Sequence, residues 1–125
     1  MRLMPDAMEW PPELDALIAA PQFHTLLFEN DSVRVLETRI RPGERTPLHT
    51  HCWPGVLYVI SWSDFIRRDA EGRVLADSRL QDAVPSGSAV WTMALQPHTL
   101  ENVGEAEIRM LTVELKKENE LKKEQ

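Results

Sequence analysis

His49, His51 and His98 are the residues whose type and spacing can do chemistry in this 125-residue chain. The first two stand two apart in the run Gly43-Glu44-Arg45-Thr46-Pro47-Leu48-His49-Thr50-His51. The third closes a segment that opens at Gly87 and runs through Gln96 and Pro97, four residues before Asn102. Residues i and i+2 of an extended strand face the same side, so His-x-His aims two imidazoles at one point. A histidine from another strand then completes three ligands of a divalent metal. Imidazole suits zinc, iron, copper and nickel, and three such ligands leave positions open for a substrate. His24, the remaining one of four histidines, has no partner at a comparable spacing and reads as structural.

The elements that must position these side chains read as short strands. After Pro5, Pro11 and Pro12, the segment 13–20 spaces Leu14, Leu17 and Ile18 at helical intervals and Pro21 ends it, which predicts one short helix. Strands are expected over 24–28 and 33–40, joined by the turn cluster Glu29-Asn30-Asp31-Ser32. Arg41-Pro42-Gly43-Glu44 has the proline and glycine of a β-turn. Further strands are expected over 47–51, within 56–68 (too long and mixed for one), over 73–78 after the Asp69-Ala70-Glu71-Gly72 turn, and over 88–92, 98–102 and 106–115. Roughly ten short strands at close, turn-marked spacing imply an all-β sandwich or barrel.

Composition sets the class. The chain is 42% hydrophobic and 27% charged with a net charge of −6, which suits one globular domain and argues against a nucleic-acid partner. A lone cysteine, Cys52, leaves no disulfide framework. No apolar run reaches the roughly 18 residues of a membrane span, and Met1–Trp10 lacks a signal-like apolar core. The expectation is a cytoplasmic protein without a membrane or nucleic-acid partner, divided into an N-terminal arm and helix (1–22), a barrel (23–115) and a charged tail (116–125). Seven of the ten tail residues are charged, so a solvated tail is expected.

The histidine segments resemble the two motifs of the cupin superfamily, the small RmlC-like jelly-roll β-barrels. Gly43, His49 and His51 match the first motif, G-x5-H-x-H-x3/4-E-x6-G. Gly87, His98 and Asn102 match the second, G-x5-P-x-G-x2-H-x3-N, and the resemblance covers about residues 24–115. It implies a single-domain barrel and a divalent metal (Fe, Mn, Zn or Ni) on His49, His51 and His98. By the same resemblance a homodimer is expected. The departures bear on the chemistry. The family's metal-binding glutamate falls on Gly55 or Val56, its closing glycine on Trp62 or Ser63, and Met93 and Leu95 replace the proline and glycine of the second motif. Without the carboxylate, a divalent ion on three neutral imidazoles keeps one more positive charge and attracts anionic ligands more strongly, while binding less tightly itself.

Other residues are weighed against that site. Glu101 has the wrong strand parity relative to His98, Glu44 lies in a turn, and Glu114 is a weak candidate to face inward from the last strand. Cys52 follows His51 and so points away from its face. Asn102 reads as a hydrogen-bonding barrel-edge residue. Trp53, Tyr58, Trp91 and Gln96 are candidate pocket-lining positions, while Asp64, Arg67 and Arg68 read as solvated. No P-loop, dinucleotide fingerprint, nucleophile elbow or HExxH is present, and no general base can be named. The leading expectation is a metal-binding cupin, a metalloenzyme acting on a small polar or carboxylated molecule through a three-histidine site. Dioxygenase-like and isomerase- or decarboxylase-like chemistries are both open. The alternative is a non-catalytic small-molecule-binding or structural cupin, with a dimerisation module as a third reading.

Overall fold

The computed structural model describes residues 10–116, and both the first nine residues and the tail from 117 onward lie outside them. A 3₁₀ turn (Pro12–Leu14) and a single helical turn α1 (Ala16–Ala19) precede nine strands. These are β1 (His24–Glu29), β2 (Val33–Ile40), β3 (His49–His51), β4 (Gly55–Ser61), β5 (Phe65–Asp69), β6 (Val74–Asp77), β7 (Ala89–Thr92), β8 (Leu95–Asn102) and β9 (Ile108–Leu115). They form two antiparallel sheets, β1-β2-β9-β4-β7 and β3-β8-β5-β6, which close as a jelly-roll barrel. No helix among the described residues is long and apolar enough to cross a membrane.

Turn chemistry sets the register where the site is built. Gly43 has φ +83°, and Glu44 N–H donates to the Arg41 carbonyl across the turn that Pro42 and Gly43 form. That turn delivers the chain from β2 toward β3. Asn102 then staples the adjoining strands. Its amide donates to the carbonyls of Ile40 and Ala106 at 2.9 and 2.8 Å, and its oxygen accepts from Ser63 Oγ and Gly104 N. Every polar atom of this buried side chain is used, so Asn102 holds the frame and does not reach the barrel interior.

The N-terminal helix differs from expectation. Leu14, Leu17 and Ile18 do not form its buried face: Ile18 is 63% exposed, whereas Ala16 and Ala20 are fully buried. Asp15 caps α1 by accepting from Leu17 N–H, and its extended backbone (ψ 143°) separates the 3₁₀ turn from the helix. The element is thus one turn of α-helix, packed close enough to β3 for Asp15 to bridge to Thr50. The tight packing places the Ala20 carbonyl over the barrel end where β1 begins.

Candidate metal centre

Strand β3 is three residues long, and its period of two turns His49 and His51 into the barrel. Directly across from His49, in Cα register, lies His98 of β8. The opposite sheet contributes His24, the first residue of β1. All four histidines of the chain therefore meet. Ring centroids are 4.4 Å apart for His49–His98, 4.8 Å for His24–His49, 5.1 Å for His49–His51, 5.2 Å for His24–His51 and 5.8 Å for His51–His98. His98, expected as the third ligand, lies outside the group in which one ligand atom from each of His24, His49 and His51 comes within 4.8 Å of the others. That is a separation small ring movements convert to the roughly 2.0–2.1 Å nitrogen–metal distances of a histidine site. His24 is thus a member of the cluster as well as a packed residue. The signal for it is non-local, because only the closure of one sheet over the other brings β1 to β3.

The tautomers are fixed from outside the cluster. His24 Nδ1 is 3.0 Å from the Ala20 carbonyl, His49 Nδ1 2.8 Å from that of Pro47, and His98 Nδ1 2.6 Å from that of Gln96. A carbonyl oxygen can only accept, so each Nδ1 carries the proton and each Nε2 keeps its lone pair. His51 Nδ1 faces a carboxylate, Glu114 Oε2, at 3.1 Å. These outer partners are the kind that orient metal-bound imidazoles and raise their basicity. Burial holds the rings neutral as well. It pushes His24 and His51 down to about 3 and His98 down to about 2, and lowers His49. Neutral imidazole is the form that ligates.

Glu114 is the carboxylate that the sequence did not place with any force. It is fully buried, and its Cα partner across the β4–β9 pairing is Gly55. A side chain at position 55 is impossible in this register, because a Cβ there would lie 1.9 Å from the Val113 carbonyl oxygen. The negative charge comes instead from the facing strand, and both of its oxygens are engaged. Oε2 holds His51, while Oε1 accepts from Arg34 Nε at 2.8 Å. Arg34 in turn grips Asp15 with two bonds of 2.9 and 3.0 Å. A polar chain, His51–Glu114–Arg34–Asp15, so ties the cluster to the cap of α1. Burial raises the Glu114 carboxyl above its ordinary range, opposed by the adjoining guanidinium.

The remaining carboxylates are committed elsewhere: Glu101 pairs outward with Arg68, and Glu44 accepts from Arg41 N–H. Cys52 has its Sγ 3.9 Å from Asp15 Oδ1, and burial pushes the thiol up to about 11, so it remains protonated. The four imidazoles line one end of a cavity of about 230 Å³ inside the barrel. Trp53, Trp62 and Phe65 contribute aromatic walls, while Trp91, 53% exposed and paired with the outward-facing Val56, only borders the cavity from the outer face. Tyr58 is half exposed and is not among the lining residues, and Gln96 borders a second, shallower depression beside His98. Arg67 corrects the expectation of a solvated side chain. It shares the inward parity of Phe65 on β5 and lines the cavity.

No family model and no curated protein matches the sequence. Among solved structures the chain is similar to a cupin domain from Bordetella pertussis Tohama I, at 21% identity and a TM-score of 0.60, over 74% of this chain and 90% of that one. It is also similar to an RmlC-like cupin family protein with a double-stranded β-helix fold from Methanocaldococcus jannaschii, at 13% identity and a TM-score of 0.54, over 79% and 84% of the two chains. A third is the polyketide cyclase RemF from Streptomyces resistomycificus, at 22% identity and a TM-score of 0.50, over 78% and 68%. At these identities the likeness is one of fold.

Proposed function

The fold of this chain is that of the cupins, and from that premise we propose that its barrel binds one divalent metal ion and acts on a small polar or carboxylated molecule. His49, His51 and His98 are the ligands expected by resemblance, and His24 joins them in the cluster. One observation carries the reading: all four imidazoles have Nδ1 tied to an oxygen acceptor and Nε2 left free. Metal-ligating histidines carry that polarity, and the ligand atoms of His24, His49 and His51 lie within 4.8 Å of one another. A bound metal supplies Lewis acidity toward a carbonyl or enolate oxygen, or O₂ activation in the case of iron. The protein's own part is to hold neutral rings in one tautomer, to exclude water with the aromatic walls and to orient the ligand. RemF, an enzyme of similar fold, supports the view that such a barrel can house chemistry.

Elemental analysis of protein purified without chelator or histidine tag tests this directly. About one metal per chain is expected, with loss of it in the His49→Ala/His51→Ala double variant. Metal addition should raise the melting temperature of the wild type. An empty protein whose melting temperature ignores added Fe(II), Mn, Zn and Ni would remove the metalloprotein reading. A non-catalytic binding barrel then takes its place. That alternative has its own support, because the carboxylate lining the cavity, Glu114, has both oxygens engaged and is not free to act as a base.

The homodimer has a physical candidate surface. Cross-strand partners Phe28–Val35–Val113–Val56–Trp91 make an apolar row across the outer face of the five-stranded sheet. Phe28, Val56 and Trp91 are among its exposed members, and a contiguous apolar face of this kind marks an interaction site. In sedimentation equilibrium the wild type should run as a dimer and Val56→Lys as a monomer with an unchanged circular dichroism spectrum. A monomeric wild type would end the idea.

A further inference from the structure

Arg67 is anomalous among the arginines of the described residues. Arg34, Arg39, Arg68, Arg73, Arg79 and Arg109 all sit in ion pairs, and Arg41 and Arg45 stand in solvent. Arg67 is half-buried between the barrel cavity and the shallower depression beside His98, has no ion pair among the described residues, and its Nε is buried without a hydrogen-bond partner. A guanidinium withdrawn even in part from water is costly unless something anionic answers it. Its position is not accidental to the site. Across the β5–β8 pairing Arg67 faces Leu100, and the next inward residue of β8 is His98. Diagonal neighbours of this kind stand about 7–8 Å apart, a span that one small molecule bridges.

The rest of the cavity limits the body of that molecule. Its walls are Trp53, Trp62, Phe65, Leu57 and Met110. The cavity of about 230 Å³ holds a compact molecule and excludes an extended one, being smaller than most drug-sized pockets. The competing anion is weak. Glu114 is spent on Arg34 and His51, so it does not neutralise Arg67. The Arg67 charge also reaches the histidines, since it is one of the influences that hold His51 and His98 neutral.

We propose that Arg67 is the specificity-determining residue of the cavity and that it selects small carboxylic acids with an apolar or aromatic body, the carboxylate on the guanidinium and the body against the tryptophans. This rests on the reading above only in taking the barrel interior as the binding site; it does not need the metal. A forked guanidinium answers a planar carboxylate with parallel hydrogen bonds, which a neutral amide of the same shape cannot reproduce.

The probe pair is benzoate and benzamide, its neutral isostere, titrated calorimetrically into wild type, Arg67→Met and Arg67→Lys. Each protein is measured with chelator and again with one equivalent of zinc. In chelated wild type, benzoate should bind on the order of 10–100-fold more tightly than benzamide. Arg67→Met should bring that ratio close to one, and Arg67→Lys should keep part of it. Removing an unpaired, half-buried charge should not lower the melting temperature, which is recorded for each variant. Equal binding of the two probes to the wild type, binding of neither, or a preference that survives Arg67→Met in chelated protein overturns the proposal. An Arg67-dependent preference in protein that takes up no zinc would uphold this assignment while ending the metal reading. Zinc uptake with no Arg67 dependence would do the reverse.

Discussion

Taken from pH 7 to pH 5, the chelator-treated protein should lose a large part of its folding stability. His24 and His51 are pushed down to about 3 and His98 to about 2, with burial as the largest cause in each case. In the unfolded chain the same rings take up protons near the ordinary value of about 6.5. Their folded values are depressed, so below pH 6.5 the unfolded state binds more protons than the folded one. Stability is present above that point and drains away as pH falls toward about 3. Each ring then costs roughly 2 kcal/mol at pH 5, and three of them on the order of 4–6 kcal/mol once their mutual influence is allowed for. A domain of this size has about 5–15 kcal/mol to lose. Glu114 opposes the trend, since a carboxyl raised on folding gains stability as pH falls, but it is one group against several. Urea midpoints at pH 7, 6 and 5 measure the effect. A flat profile over that range would mean that the cluster accommodates protons, and the picture of four neutral rings with free Nε2 atoms would be wrong.

Much of the frame that makes this cluster was legible in the residues, and the reasons for the exceptions are physical. Local signals worked where the physics is local. Pro42-Gly43 makes its turn, β2 spans 33–40 as expected, and the period of a strand turns His49 and His51 to one side. Cross-strand identity was legible through motif spacing, which brought His98 opposite His49. What failed was parity wherever both faces of a strand are apolar. In β9 the inward set is Ile108, Met110, Thr112 and Glu114, while Leu111, Val113 and Leu115 face outward. A binary pattern ranks the outward set as the more core-like, and so hides Glu114. In β5 an arginine on the inner face runs against the same rule, which is why Arg67 read as solvated. His24 carries no local signal at all, since its neighbours in the cluster come from strands of the other sheet. Exceptions to core patterning collect at the cavity, as expected where function opposes packing.

Glu114→Ala should be the most damaging single substitution outside the histidines, and it separates two roles of one carboxylate. The first role is structural. Glu114 and Arg34 are direct cross-strand partners, and their side chains are 0% and 6% exposed. Removing one member of a buried pair leaves the other charge uncompensated, a loss of about 3–5 kcal/mol. Asp15 still holds Arg34 from the other side, which places the expected loss at the lower end of that range. The second role is on His51, whose Nδ1 proton has Glu114 Oε2 as its acceptor. Without it the ring is free to turn or to carry its proton on Nε2, and metal affinity should fall by about 10–100-fold. Glu114→Gln divides the two effects. Its amide oxygen can still accept from His51, but its NH₂ then faces the Arg34 guanidinium and the charge is gone. The glutamine variant should therefore keep most of the metal affinity while losing nearly as much stability as the alanine variant. Chemical denaturation and competitive zinc titration read the two quantities separately. If alanine and glutamine lose metal affinity equally, the carboxylate acts on the metal through its charge and not through the orientation of His51.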